Sequence, residues 1–366
     1  MIVKGRHTPF DGDISNILII QLGDIGDVVW AVPAFRAVKD AYPAAAVSVM
    51  VREGSGCLIE PDPLVARVFE VKRTTGSLRA RAAARVRFIH SLRRAQFDMA
   101  IDLRSDERGA FMSRITGAPV RIAMHYGRAS VPIWRNRVFT HLVCPPAPAR
   151  RIYGAAEQSL RVTREFGMDT DDPVPRLWCS NETRRRAQFL LHREGVSGPD
   201  RWVSINPFSR WQYKEWSTDK WVRIIDWLWD DHGLASIIVG SKDEQEKAGH
   251  ILTRCRGRVF NLSGKTTLSD LAGVLSLSSL HVGVDSAAPH IAAAVGIPTV
   301  TIYGPSDWRD WAPVGDGHRV VIPDDACVPC RDKGCHNSGI SRCLETLGIE
   351  KVREAIRASL EMRRIF

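Results

Sequence analysis

Apolar runs of strand length alternate with segments of helical period along almost the whole of this 366-residue chain, and the scheme occurs twice. In the first half, residues 17–22, 47–51 and 98–103 read as strands, with helices from about 27–41 and 77–95 between them. In the second half the strands are 202–206, 235–239, near 259, 280–284 and 298–303, with helices at 218–231, 243–255, 268–275 and 287–295. Strands alternating with helices of this length close as βαβ units on a parallel sheet. The expected fold class is therefore α/β, with two Rossmann-like domains facing a central cleft. Residues 169–175, rich in Asp and Pro, mark the boundary, giving domains 1–175 and 176–348. A last helix, within 349–366, follows a Cys-rich loop at 327–343 and is expected to cross back to the first domain.

Two short loops, Gly23-Asp24-Ile25-Gly26-Asp27 and Asp285-Ser286-Ala287-Ala288-Pro289-His290, each leave an apolar run and enter a helix, in what look like corresponding positions of the two halves. Open α/β sheets bind ligands at such carboxyl ends of strands. The amides after Asp285 carry the positive end of a helix dipole, an anion site suited to a pyrophosphate, although an Asp-Ser cap before an Ala-rich helix also serves simply as a cap. His290 suits either that site or the core. The turn 206–216 adds a hydroxyl (Ser209), two cations (Arg210 and Lys214) and two indoles (Trp211 and Trp216); a surface loop this aromatic calls for a ligand or partner to cover it. Glu244, after the next strand, is placed either to accept ribose hydroxyls or to compensate its own helix dipole. In the first half Asp27 is the candidate base, a carboxylate at a sheet-end turn able to take a proton from an acceptor hydroxyl, and equally an ordinary cap. No G-x-G-x-x-G follows the first strand, which argues against a dehydrogenase.

The net charge of +10 is concentrated between residues 72 and 94, where Arg79, Arg81, Arg85 and Arg87 lie in a stretch without an acid. Such a patch is a solvated helix face or attracts a polyanion; no nucleic-acid motif accompanies it, so nucleic acid is not the expected partner. Apolar stretches stay far below the roughly 20 residues of a membrane helix, and the start has no apolar signal core. A cytoplasmic location is expected. Cys327, Cys330, Cys335 and Cys343 form C-x2-C-x4-C-x7-C. Its leading pair resembles a metal-binding pair, the later spacings match no standard zinc finger, and structural zinc or iron, free thiols and disulfides stay open.

Taken together, Ile17-Leu-Ile-Ile-Gln-Leu-Gly-Asp-Ile-Gly-Asp-Val-Val, Ile101-Asp-Leu-Arg, Lys214-x-Trp216, Gly240-x-x-x-Glu244, Val282-Gly-Val-Asp-Ser-Ala-Ala-Pro-His290 and Ile302-Tyr-Gly-Pro305 resemble the heptosyltransferases of glycosyltransferase family 9 in order and spacing. The resemblance implies a GT-B fold, with the acceptor on the first domain and the nucleotide sugar on the second. It implies inverting transfer without an essential metal, from ADP-L-glycero-β-D-manno-heptose to an inner-core lipopolysaccharide acceptor, either Kdo-lipid A or heptosylated core. By position Asp27 matches the general base, Lys214 the phosphate-binding lysine, and Glu244 the acid on the ribose. Asp285, Ser286, Ala287, Ala288 and His290 match the loop on the pyrophosphate and sugar, and Ser209 a hydroxyl on phosphate. With that fold, the arginines of 72–94 become an acceptor and membrane patch, and the protein is expected to lie peripherally at the inner face of the inner membrane. Gln21 replaces an Arg common among relatives and Ala287 a Gly. Alternatives that keep the fold are another nucleotide sugar or acceptor, such as a later core sugar, a polysaccharide or a protein, and a non-catalytic nucleotide-sugar-binding protein.

Overall fold

Ile17, Leu18, Ile19 and Ile20 are completely buried. A run apolar on both faces belongs inside a parallel sheet covered by helices on both sides, and these residues occupy an internal strand of such a sheet. The computed structural model describes residues 2–3, 8–10, 12–73, 75–125, 132–144, 154–196 and 201–365, the side chains of 363–365 excepted. It divides into two units, Met1–Trp178 and Cys179–Phe366.

The first unit contains β1 (Ile2–Val3), β2 (Asn16–Ile20), α1 (Ile25–Ala41), β3 (Ala46–Arg52), β4 (Arg67–Val71), α2 (Leu78–Arg94), β5 (Met99–Asp102), α3 (Glu107–Thr116), β6 (Val120–Met124), α4 (Ile133–Val138), β7 (His141–Val143) and α5 (Gly154–Arg164). Its seven strands, all parallel, run in the order β1-β7-β6-β5-β2-β3-β4. The chain leaves β2 toward β3 on one side and later returns to place β5 on the other. The carboxyl end of β2 is thus a topological switch point, where a crevice opens. Ile20 is in register with Asp102, so the loops after β2 and β5 leave the sheet side by side. Helix α2 is largely uncovered: Ser77 caps it by accepting the Ala80 N–H (3.3 Å), yet only Leu92 of its seventeen residues is buried.

The second unit contains α6 (Asn181–Arg193), β8 (Trp202–Asn206), α7 (Thr218–His232), β9 (Ala235–Ile238), α8 (Gln245–Leu252), β10 (Val259–Asn261), α9 (Leu268–Leu277), β11 (Leu280–Val284), α10 (Ala287–Ala294), β12 (Thr299–Ile302), α11 (Trp308–Trp311), β13 (His318–Val321), α12 (Arg342–Thr346) and α13 (Ile349–Ile365). Its six strands are also parallel, in the order β10-β9-β8-β11-β12-β13. The switch point lies at β8, between β9 and β11. The last helix, expected to cross back, packs on β11, β12, β13 and α7. Its Val352, Ile356 and Leu360, one face of the helix at i, i+4 spacing, are buried in this unit's core with Trp221 and Trp227.

The shared order corrects one expectation about the two loops. Strands β5-β2-β3-β4 correspond to β11-β8-β9-β10, so residues 23–27, which follow β2, correspond to the turn after β8. The loop 285–290, which follows β11, has as its counterpart the loop after β5.

Candidate functional site

Asp27 lies in the first turn of α1, at the switch point of the first sheet. Its Oδ2 accepts the backbone N–H of Asp24 (2.8 Å) and the Arg104 guanidinium (2.6 Å). The carboxylate therefore closes the helix start, the ordinary role considered for it, and is also ion-paired. One oxygen is occupied by two donors, and among the described residues no hydrogen bond is made to Oδ1. The side chain keeps 20% of its exposure, enough for a substrate hydroxyl to reach it. Gly23 makes this arrangement fit, because a Cβ there would stand 2.3 Å from Asp27 Oδ2. Gln21 is buried and its Oε1 accepts the Gly23 N–H (3.0 Å), fixing the same turn. Arg52 and Asp24 form a second pair (2.7 Å) beside it.

In the second unit, Ser209, Lys214, Asp285 and Ser286 come together at the carboxyl ends of β8 and β11. Lys214 Nζ meets Asp285 Oδ2 at 2.6 Å, with the two side chains 21% and 7% exposed. Ser209 Oγ donates to the Asp285 carbonyl (3.3 Å), and Ser286 Oγ donates to Asn206 Oδ1 (2.6 Å). Asn206, at the end of β8, in turn donates to the Val239 carbonyl (2.9 Å). It ties three strand ends together and was not singled out as a site residue by sequence. Ala287 and Ala288 open α10, so their N–H groups lack intrahelical acceptors and carry the dipole's positive end. Here, then, are a cation and unpaired amide donors beside one carboxylate, an arrangement able to take a phosphate once Lys214 swings from Asp285. His290 is buried, and burial lowers its pKa to about 4, so it is neutral at physiological pH.

Two calls change. Glu244 turns back on its own 3-10 turn, its Oε2 accepting the Ser241 N–H (2.6 Å), which is the helix-start alternative considered for it. Its other carboxylate oxygen makes no hydrogen bond among the described residues. The two indoles of the turn 206–216 also separate: Trp211 is 46% exposed, whereas Trp216 is a core residue whose Nε1 donates to the Leu347 carbonyl (3.2 Å). Half of the aromatic signal in that loop was therefore packing.

Arg79, Arg85 and Arg87 are exposed on α2 and Arg81 is half-buried; beside them Leu78 and Val86 retain 80% and 64% of their exposure. All four clustered cysteines are free thiols: Cys327 is exposed, Cys330 and Cys335 half-buried, Cys343 buried. Among the described residues no three His, Cys, Asp or Glu side chains are gathered as a metal would require. No disulfide joins these sulfurs. Cys335 Sγ accepts the Arg342 N–H (3.4 Å), while burial, then Asp325 and the neighbouring thiols of Cys335 and Cys327, raise the Cys343 thiol to about 11.

Paired sheet-end sites on two doubly wound units define a class, and comparison with known proteins identifies it. Residues 85–341 match the family model of glycosyltransferase family 9 (heptosyltransferase), and the chain belongs to that family. The matched segment holds the whole donor-side cluster and begins after Asp27. Among individual relatives, a lipopolysaccharide heptosyltransferase 3 of Escherichia coli is 27% identical over 293 residues, 78% of this chain and 84% of the relative. Two solved structures share the fold. A family 9 glycosyl transferase from Veillonella parvula superposes with a TM-score of 0.80 at 18% identity, covering 97% of this chain and 99% of the other. The ADP-heptose lipopolysaccharide heptosyltransferase II of E. coli gives 0.76 at 20%, covering 95% and 99%. The protein is a glycosyltransferase with the GT-B fold.

Proposed function

We propose that this enzyme moves a heptose from ADP-L-glycero-β-D-manno-heptose to an inner-core lipopolysaccharide acceptor with inversion at the anomeric carbon. The observation that supports it most directly is the convergence of Ser209, Lys214, Asp285 and Ser286 on the start of α10, a site built for the pyrophosphate of a nucleotide sugar. The name of the E. coli structure of the same fold specifies ADP-heptose as its donor. In the reaction the acceptor hydroxyl oxygen attacks the anomeric carbon, Asp27 Oδ1 takes its proton, and the bond to ADP breaks with the electron pair leaving on the phosphate. Lys214 and the α10 amides meet the charge as it develops there. Glu244 holds the ribose through its open oxygen, and Ala287, Ala288 and His290 shape the pocket for the sugar. The thiols of 327–343 remain reduced and transfer needs no metal. The acceptor is Kdo-lipid A or heptosylated core, which α2 meets at the cytoplasmic face of the inner membrane.

The test is ADP release from ADP-heptose by the wild type and Asp27→Ala, each with Kdo-lipid A and with heptosylated core, in the presence of a chelator. Acceptor-dependent release that disappears in the variant is expected. Release with a different nucleotide sugar only, or undiminished release by Asp27→Ala, would overturn the proposal.

A further inference from the structure

Asp102 ends β5 with its side chain wholly buried. Its Oδ1 accepts two successive backbone N–H groups, from Arg104 (3.2 Å) and Ser105 (2.9 Å), and so winds the chain into a tight turn as it leaves the sheet. Ser105 completes the turn in a left-handed conformation (φ 61°), with its buried Oγ donating to the Asp102 carbonyl (3.1 Å) and accepting the Met124 N–H (2.9 Å). On the far side, α3 passes so close that a Cβ on Gly109 would stand 2.2 Å from Asp102 Oδ2. Burial raises the carboxyl to about 7, and among the described residues Oδ2 has no hydrogen-bond partner. What the turn aims is Arg104, whose Nη1 reaches Asp27 Oδ2 (2.6 Å) while its Nε lies 3.5 Å from Asp106 Oδ2.

We propose that Asp102 and Arg104 are positioning residues for Asp27: the Asp102 turn fixes the backbone of Arg104, and the Arg104 guanidinium pins Asp27 Oδ2 so that Oδ1 is the oxygen that faces the acceptor hydroxyl. The device rests on the assignment of Asp27 as the base. It lies wholly within the first unit, where register places β5 beside β2. It therefore acts on turnover and leaves the donor cluster untouched.

Transfer kinetics, donor KM and calorimetric ADP binding are measured for Arg104→Ala, Asp102→Ala, Asp102→Asn, the double variant Asp102→Ala/Arg104→Ala, and Asp27→Asn. Arg104→Ala and Asp102→Ala are each expected to lower kcat about 100-fold, the scale of a reacting group misplaced by an ångström, with donor KM and ADP affinity unchanged. The double variant should be no worse than either single one, because both act through the same contact. Asp102→Asn keeps an acceptor oxygen for both N–H groups and should restore turnover, which a requirement for charge would not allow. If Asp102→Ala does not fold, Gly109→Ala displaces the same carboxyl from the other side and should reproduce the kcat loss. Unchanged kcat in Arg104→Ala, multiplicative losses in the double variant, or an inactive Asp102→Asn would each overturn the proposal while an inactive Asp27→Asn leaves the base assignment standing. An active Asp27→Asn would overturn the base assignment itself.

Discussion

Replacing Lys214 by Met should separate what the ion pair does for the fold from what it does for the ligand. At 2.6 Å and an effective dielectric near 20, the Lys214–Asp285 attraction is about 6 kcal/mol before desolvation is charged against it. Most of that is offset by the cost of taking both groups from water. Removing the cation alone leaves the Asp285 carboxylate, 7% exposed, without compensation. Truncating one partner of a buried pair costs roughly 3–5 kcal/mol; with Lys214 still 21% exposed, the lower end, about 3 kcal/mol, is expected for Lys214→Met. For a unit of this size that lowers Tm by roughly 6–12 °C. Adding Asp285→Asn removes the stranded charge and should recover most of the stability. ADP binding should not recover, because the charge-assisted bond to phosphate, worth about 1.5–3 kcal/mol or roughly 10- to 150-fold in Kd, is still missing. Urea unfolding of the wild type, the single variant and the double variant, with ADP titrated into each by calorimetry, gives both quantities. Stability unaffected by Lys214→Met, a double variant no more stable than the single one, or full ADP affinity in either would refute the reasoning.

Three further outcomes follow from charge and burial. In the second unit burial lowers His281 to about 3 and His290 and His318 to about 4, from 6.5. Below pH 6.5 the unfolded chain binds protons that the folded unit refuses, so stability should fall from pH 6.5 toward 4 by about 1.4 kcal/mol per pH unit for each histidine. Asp102, raised from 3.8 to about 7, acts in the opposite sense: its contribution to the first unit is complete below pH 3.8 and is lost as pH rises through 7. Unfolding midpoints followed across pH, in the wild type and in His281→Gln, check the first effect, and the variant should flatten the acid limb. Reversing the charge of Arg79, Arg81, Arg85 and Arg87 should abolish binding to vesicles containing anionic lipid, since each basic residue near such a surface contributes about 1 kcal/mol. Folding should be untouched by the reversals at the exposed Arg79, Arg85 and Arg87. Cosedimentation at two salt concentrations tests this, and retained, salt-insensitive binding would contradict it.

The alternation of strand and helix was legible because a parallel sheet buried on both faces demands apolar runs such as 17–20 and 280–284, with little else to mimic them. Ser209, Lys214, Asp285 and Ser286 were legible for a related reason: they stand just past strand ends, where the fold class puts ligands. Asp102 and Arg104 were not. Both are in the quoted Ile101-Asp-Leu-Arg, but their bearing on Asp27 depends on β5 lying beside β2, a fact of sheet order that hydrophobic period does not encode. Trp216 misled because a core indole and a ligand-covering indole look alike in sequence. Cysteine spacing likewise says which thiols are near along the chain and leaves open whether their sulfurs converge.

The two units clasp their strand ends in the same way with the polarity exchanged. After the strand at each switch point comes one charged side chain, and after the neighbouring strand that the chain adds later comes its opposite: Asp27 with Arg104 in the first unit, Lys214 with Asp285 in the second, both at 2.6 Å. The frame is indifferent to sign. On the proposed roles, the anion held at the first position is the proton acceptor and the cation held there is the receptor for phosphate, with the partner in each case keeping the working group in place. Two halves built on one plan can thus supply opposite chemistries, and what divides the labour between them is which end of an ion pair each half presents.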